Sequence, residues 1–303
     1  MTGHAVLVGP TASGKSALAL ELARQDTTWE LVSVDSMQVY RGMDIGTAKP
    51  TAAEQAEVPH HLLDLLDPWE DGTVAWFQQE ARAAIEGIEQ RGHRALLVGG
   101  TALYARAVVD ELEIPGQYPD VRAILESDPD TSALHAQLAG LDPLAASRME
   151  PTNRRRIVRA LEVTMGSGRQ FSSYGAGLDA HPPTAFTMVG LRWVGDDLRA
   201  RIATRCAEQV DAGFLAEVRR LREDPRGMSR TARQALGYKE LLDHLDGQMS
   251  LDDALDLAIR RTGRFARRQW AWFRRDPRIT WLDAGPELDA NLLVDPLRVA
   301  VGS

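Results

Sequence analysis

The stretch VGPTASGKSALAL, residues 8–20, constrains the fold more than any other part of the chain. Gly9, Gly14, Lys15 and Ser16 satisfy the spacing G-x-x-x-x-G-K-[ST] of a phosphate-binding loop. Such a loop sits between a buried strand and a helix. Its glycines let several N–H groups turn toward one anion, and the helix behind adds its positive end. The flanks agree: HAVLVG is a short apolar run ending in glycine, and SALALELARQ has helical periodicity. Pro10, Thr11, Ala12 and Ser13 complete the cradle, Lys15 supplies a full charge, and the Ser16 hydroxyl suits Mg2+. The motif specifies a di- or triphosphate group and leaves open what carries it.

The rest of the chain fits a sheet built around that loop. WELVSVDS reads as a second buried strand, HHLLDLLD as a third and RGHRALLVGG as a further one, preceded by the helix VAWFQQEARAAIEGIEQ. Buried strands alternating with helices predict an α/β fold: a P-loop NTPase-like, mostly parallel sheet with flanking helices. The pattern changes at IPGQYPD, residues 114–120. From there to AHPPTAF, residues 180–186, the chain shows short helices and no strand. Asp142 and Pro143 read as an N-cap and first helical position, and TNRRRIVRALEVTMGSG as a helix capped by Thr152 or Asn153 and ended by Gly166 or Gly168. An all-helical insertion domain is therefore expected at 117–184, between core segments 1–116 and 185–303. FTMVGLRW returns to strand character. Helices follow around 196–222 and 230–245, then a long one from Ser250, where SLDD resembles a capping box, to about Arg275. RITWLD reads as the last strand, and the final 18 or so residues carry no clear signal.

Composition narrows the setting. The single cysteine, Cys206, allows neither an internal disulfide nor a zinc cluster, which fits a reducing cytosol. The N-terminus has no basic segment followed by an apolar run, so no signal peptide is expected. No window approaches the ~18–20 apolar residues of a membrane span. A cytoplasmic monomer is the expectation. The net charge of −8 argues against indiscriminate nucleic-acid binding but leaves room for a local basic site.

Asp35 ends the second strand, on the edge that faces the ligand crevice in an open parallel sheet. Spacing alone leaves three roles open: a Mg2+ ligand, a helix N-cap with Ser36, or a general base facing a second substrate. Adjacent His60 and His61 have the wrong spacing for one metal and read as structural.

Eight segments bear on that choice. GPTASGKS, VDSMQVYRGMDIGTAKP, VPHHLLD, LLVGGTALY, RRRIVRALEV, GFLAEV, QALGYKE and FARRQWAWFRR occur in this order. Together they resemble the bacterial tRNA dimethylallyltransferases (tRNA isopentenyltransferases), over roughly residues 5–282. The likeness weakens in parts of the insertion and at the C-terminus.

The resemblance implies that the loop, Gly9 to Ser16, holds the pyrophosphate of dimethylallyl diphosphate, with Mg2+ as cofactor. The five-carbon group would pass to N6 of an adenosine next to the anticodon, position 37 of the tRNA. Pyrophosphate departs with charge that Lys15, Mg2+ and backbone donors stabilise. The adenine amine is a poor nucleophile, so a carboxylate must take its proton; the resemblance gives that role to Asp35. Thr11 matches a substrate-contacting residue and Arg205, in RIATRCAEQV, an arginine that clamps the pyrophosphate. On bare sequence Arg205 reads as a solvated helix residue. Asp35, Ser36, Met37, Gln38 and Thr101 match positions that contact the tRNA, as do Arg155, Arg156 and Arg159, and, more weakly, Arg122. The buried chemistry requires the acceptor base to be flipped out of its stack. In RRTGRFARRQWAWFRR the aromatics are expected to pack inward while Arg260, Arg264, Arg267 and Arg268 line the outside, with phosphate contact by those arginines and base stacking by the aromatics both open. Eukaryotic members carry a C-terminal zinc finger; with one cysteine, the chain is expected to be the compact bacterial form.

Three other functions share parts of this pattern. A prenyl transferase acting on free AMP or ADP needs no basic insertion. A small-molecule P-loop kinase needs an adenine site that no segment supplies. An RNA-binding P-loop protein without chemistry gives Asp35 no role.

Overall fold

The computed structural model describes residues 3–175, 177–178, 180–193, 198–285 and 290–302. The chain divides into two compact units, one of residues 1–110 with 183–303, the other of residues 111–182. The second unit thus begins at 111 rather than 117 and ends at 182 rather than 184.

In the first unit the opening half runs β1 (Ala5–Val8), α1 (Lys15–Gln25), β2 (Trp29–Ser33), α2 (Ala52–Glu57), β3 (His60–His61), α3 (Val74–Gln90), β4 (Arg94–Gly99) and α4 (Ala102–Val109). The second unit holds α5 (Pro119–Ser127), α6 (Thr131–Leu141), α7 (Pro143–Ser147), α8 (Arg154–Ser167) and a short 3-10 turn at Phe171–Ser173. The first unit resumes with β5 (Thr187–Trp193), α9 (Leu198–Asp211), α10 (Phe214–Glu223), α11 (Arg230–Arg233), α12 (Tyr238–Leu245), α13 (Leu251–Phe273), β6 (Thr280–Ala284) and α14 (Ala290–Val301). The expected helix start at 196 lies outside the described residues.

The strands form one sheet in the order β3-β2-β4-β1-β5-β6, and every pairing is parallel. β1 lies in the middle, where the chain's crossovers change direction, and this is where a parallel sheet opens its ligand crevice. Period-two alternation sends Val6 and Val8 to one face, among Phe77, Leu97, Met188 and Phe273, and Ala5 and Leu7 to the other, among Leu18, Leu96 and Leu191. Burial of such a side chain is worth about 1.5–3 kcal/mol.

Two expectations need correction, and a stretch without a sequence signal gains a helix. HHLLDLLD joins the sheet only through His60 and His61; Leu62 (φ 64°) and Asp64 (φ 55°) then turn into the left-handed region, which breaks the strand, and Leu66 makes just an isolated parallel bridge to Tyr40. Those histidines are structural: His60 Nδ1 lies 2.7 Å from the Val58 carbonyl and His61 Nε2 lies 2.7 Å from the buried Glu30 carboxylate. At SLDD, Ser250 caps α13 by accepting from the Asp253 N–H (3.1 Å), but the Asp253 carboxylate takes the Ser250 hydroxyl (2.6 Å) rather than closing the reciprocal backbone bond. The last residues form α14, which buries Val294, Leu297 and Val301 in the α1 face of the sheet.

The second unit packs α5, α6, α7 and α8 around Leu125, Leu138, Ile157 and Leu161. Asn153 caps α8 and Gly168, at φ 71°, ends it. Arg154 is a tie within this unit, donating to the Leu125, Glu126 and Asp128 carbonyls.

Candidate active site

The phosphate loop leaves β1 at Gly9, whose φ is 148° and where a Cβ would come within 2.6 Å of the Leu191 carbonyl on β5. Only glycine fits. Ala12 (φ 63°) and Gly14 (φ 93°) then curl the chain into α1. Ser13 Oγ is fully buried in this curl and makes no hydrogen bond. Lys15, 8% exposed, donates to the Pro10 carbonyl at 2.6 Å. Burial, reinforced by the nearby Arg205 charge and opposed by Asp35, lowers its pKa from 10.5 to about 7. Ser16 is exposed on the first turn of α1.

The front of the loop is held by side chains from much later in the sequence. Arg205, on α9, donates to Thr11 Oγ1 (3.0 Å). One helical turn earlier, Arg201 donates to the Ala12 carbonyl (3.0 Å) and lies over the Trp193 ring. Gln269, on α13, accepts the Thr11 N–H at 2.8 Å. Neither Arg201 nor Gln269 is singled out by sequence reasoning. The i, i+4 spacing of Arg201 and Arg205 was an available signal. For Gln269 the one hint is an uncharged polar residue within RRQW.

Asp35 lies just beyond β2, on the same edge. Its Oδ1 accepts the Met37 N–H at 2.8 Å, fixing a turn over Ser36–Val39 rather than capping a helix. Burial raises its pKa above the ordinary 3.8, while the Met37 N–H and the Lys15 and Arg205 charges pull the other way. The Ser36 N–H donates to Thr101 Oγ1 (3.3 Å), which brings the end of β4 alongside. Gln38 is spent on the fold: its amide donates to the Thr47 and Ala48 carbonyls and accepts from Ser33 Oγ. A pocket of about 470 Å3 opens beside Arg205, walled also by Asp44, Lys49, Asp64, Glu208 and Gln209.

GFLAEV and QALGYKE explain the shape of that wall. The buried Glu217 carboxylate accepts three successive backbone donors, Asp44 N (2.9 Å), Ile45 N (2.9 Å) and Gly46 N (3.2 Å), together with the Tyr238 hydroxyl (2.6 Å). This pins the segment MDIG.

The structure thus gathers Gly9–Ser16, Asp35–Gln38, Thr101 and Arg205 on one edge of the first unit. The other expected residues belong to the second unit. There Arg155 and Arg156 project from the start of α8, exposed, with no side-chain ion pair among the described residues. Arg122 and Arg159 instead grip the buried Glu162 at 3.2 and 2.8 Å, and Arg159 also donates to the Pro115 carbonyl. On α13 Phe273 is buried and Trp270 packs edge-on against Trp281 (4.9 Å between centroids), while Phe265 and Trp272 are half-buried; Arg260, Arg264, Arg267 and Arg268 are exposed.

Sheet, glycine loop and adjacent acid define an α/β protein of the phosphate-loop class. Residues 38–276 match the family model described as IPP transferase. The chain is 49% identical to a tRNA dimethylallyltransferase of Kineococcus radiotolerans, covering 92% of this chain and 90% of that one. It is 47% identical to one of Streptomyces coelicolor, covering 96% of each. The crystal structure of a tRNA isopentenylpyrophosphate transferase from Bacillus halodurans superposes with a TM-score of 0.71 at 36% identity, covering all of this chain and 97% of that one. A eukaryotic dimethylallyltransferase caught acting on tRNA gives 0.77 at 27% identity, over 94% of this chain and 75% of that one. The chain belongs to the IPP transferase family, and its enzyme class is prenyl transfer. Among the described residues no helix is long and apolar enough to cross a membrane.

Proposed function

We propose that the protein transfers a dimethylallyl group from dimethylallyl diphosphate to N6 of the adenosine next to a tRNA anticodon, acting as a monomer in the cytoplasm. The observation that carries this reading is the placement of one carboxylate, Asp35, within the electrostatic reach of both Lys15 and Arg205 at the mouth of a phosphate loop. A kinase or ATPase would use an acid at this place to hold Mg2+ or to take a hydroxyl proton. The family match over residues 38–276 favours instead an acid that strips a proton from a weakly nucleophilic amine.

In this reading Gly9 to Ser16, with Lys15 and Arg205, bind the diphosphate. Arg205 suits a clamp because its planar fork donates parallel hydrogen bonds to phosphate oxygens. Thr11, held by Arg205, orients the donor. The N6–C1 bond forms as the C1–O bond breaks; the amine proton passes to an Asp35 oxygen, and the diphosphate leaves with the electron pair. The Ser16 hydroxyl would hold Mg2+. Among the described residues no group of three or more His, Cys, Asp or Glu could hold a metal, which fits an ion bound mainly by substrate phosphates and water. When bound, it would neutralise charge on the departing diphosphate. Ser36, Met37 and Thr101 would border the acceptor base. Gln38 would act by shaping the turn. Arg155 and Arg156 would take tRNA phosphates, with Arg122 and Arg159 shaping the helix that presents them.

The test incubates the protein with dimethylallyl diphosphate, Mg2+ and an anticodon stem-loop, and weighs the adenosine. A five-carbon mass gain is expected. Gain on AMP with none on the stem-loop refutes the tRNA reading, and ATP turnover with Mg2+ alone points to a kinase.

A further inference from the structure

Gln269 uses both ends of a side chain that is only 6% exposed. Its Oε1 accepts the Thr11 N–H at 2.8 Å, and its Nε2 donates to the Gly100 carbonyl at 2.8 Å. One amide therefore spans the phosphate loop after β1 and the exit of β4. From Gly100 the path continues: Thr101 Oγ1 accepts the Ser36 N–H, and Ser36 follows Asp35 in the chain. The fit is close. A Cβ on Gly100 would lie 2.2 Å from Gln269 Nε2 and 3.2 Å from the Gly9 carbonyl, so position 100 has no room for a side chain while the bridge stands. A Gln is required here in a way that Glu or Met is not. The bridge needs an acceptor facing Thr11 and a donor facing a carbonyl, and only a carboxamide presents both at fixed spacing.

The geometry points to Gln269 as a positioning residue that sets the separation between the diphosphate cradle and the acid at which the acceptor is deprotonated. This deepens, and rests on, the proposed prenyl transfer. Gln269 touches neither reacting atom; it acts through Thr11 and Gly100. Reacting atoms must approach in line at about 3–3.5 Å, and misplacement by about 1 Å costs on the order of a hundredfold. A donor whose C1–O bond breaks with the amine out of place is open to water. Water then forms the new C–O bond at C1 and gives its proton to solvent, and the products are a five-carbon alcohol and diphosphate.

The experiment measures two products at once, with the parent, Gln269→Glu and Gln269→Met. Stem-loop and dimethylallyl diphosphate are saturating, and active sites are titrated by diphosphate binding so that folded fraction cancels. The readout is the number of prenyl groups transferred per diphosphate released, with the single-turnover transfer rate beside it. The parent should transfer close to one group per diphosphate. Both variants should transfer about 10–100-fold more slowly and with a lowered ratio, the rest appearing as alcohol. Gln269→Glu, which keeps the acceptor facing Thr11, should lose less diphosphate affinity than Gln269→Met. A purely structural role would lower melting temperature and the titre of active sites yet leave the ratio and the per-site rate at parent values, and that result overturns the inference. A parent that transfers nothing fails the proposed function instead.

Discussion

Diphosphate binding should draw a proton from solvent, because Lys15 is discharged by its own burial. Desolvation and the Arg205 charge bring it from 10.5 to about 7, against the pull of Asp35. At pH 7 the ligand-free protein thus carries Lys15 about half neutral. A diphosphate beside the amine favours the charged form and moves its pKa back toward ~10.4. The sign follows from linkage: a pKa low in the free protein and high in the complex gives binding that is full below about 7 and weakens as the pH rises through it. Each unit above that value costs about tenfold, or about 1.4 kcal/mol. Between pH 7 and pH 9 affinity should fall about 50-fold, since a fraction of about one half protonated becomes about one hundredth. Phosphate groups ionise near pH ~6, below this window. Calorimetric titration at fixed Mg2+, in buffers of different ionisation enthalpy, reads the uptake directly: about half a proton at pH 7, approaching one at pH 9. Lys15→Ala should bind weakly with a flat profile. Affinity unchanged from pH 7 to 9, with no proton uptake at pH 8, would refute the argument.

Asp35→Asn should hold both substrates yet transfer about 10²–10⁴-fold more slowly in single turnover; loss of diphosphate affinity with rescue by raised Mg2+ would instead make Asp35 a metal ligand. Arg155→Ala with Arg156→Ala should weaken tRNA binding, leave diphosphate affinity intact and flatten the salt dependence by about 0.7–0.9 in log–log slope per lost contact. Buried Glu30 is bonded by Arg91, His61 and His93, and the Arg91 bond leads in holding its pKa down from 4.5 to about 2. Its contribution, about 2–3 kcal/mol after discounting the half-exposed Arg91, is present above pH ~4.5 and lost as pH falls toward 2; Glu30→Gln should lower melting temperature at pH 7, and the gap should narrow in acid. Leu297→Ala, on the fully buried face of α14, should cost about 2–5 kcal/mol by denaturant melt.

What sequence could read here was local. Strand, loop and helix around Lys15 follow from period and glycine spacing, and α3 runs over the very residues its periodicity defines, with Thr73 capping it in the structure. The second-unit cap at Asp142 was legible, and that of α8 was narrowed to Thr152 or Asn153, because an N-cap is chosen by bonds three residues away; the structure has Asn153. α14 was not, because Pro296 inside it argues against a helix interior and masks the spacing of Val294, Leu297 and Val301. HHLLDLLD failed for a related reason. Its apolar residues are buried by a loop that joins β3 to α3, and a short apolar run does not tell strand from buried loop. Arg122 and Arg159 look in sequence like Arg155 and Arg156; only the buried Glu162 on α8 separates arginines that hold the unit together from those left facing solvent.

The specificity of the site lies beyond the reach of local reading, because it is built from contacts across 189 to 258 positions of chain. A glycine loop with a lysine accepts many phosphates. What restricts it here is the set of groups that line its mouth, and those groups are electrostatically linked. Lys15 and Arg205 hold the Asp35 proton affinity down while burial holds it up. A bound diphosphate offsets both cations and leaves the burial in place, so Asp35 becomes a stronger base when the donor occupies the loop. The same binding event recharges Lys15, which then stands ready to take the charge of the leaving group. Without the donor, burial favours the neutral amine of Lys15, while the neighbouring positive charge of Arg205 holds down the proton affinity of Asp35. On the proposed function, the donor would therefore favour the charged form of its own clamp and strengthen the base that would serve the acceptor.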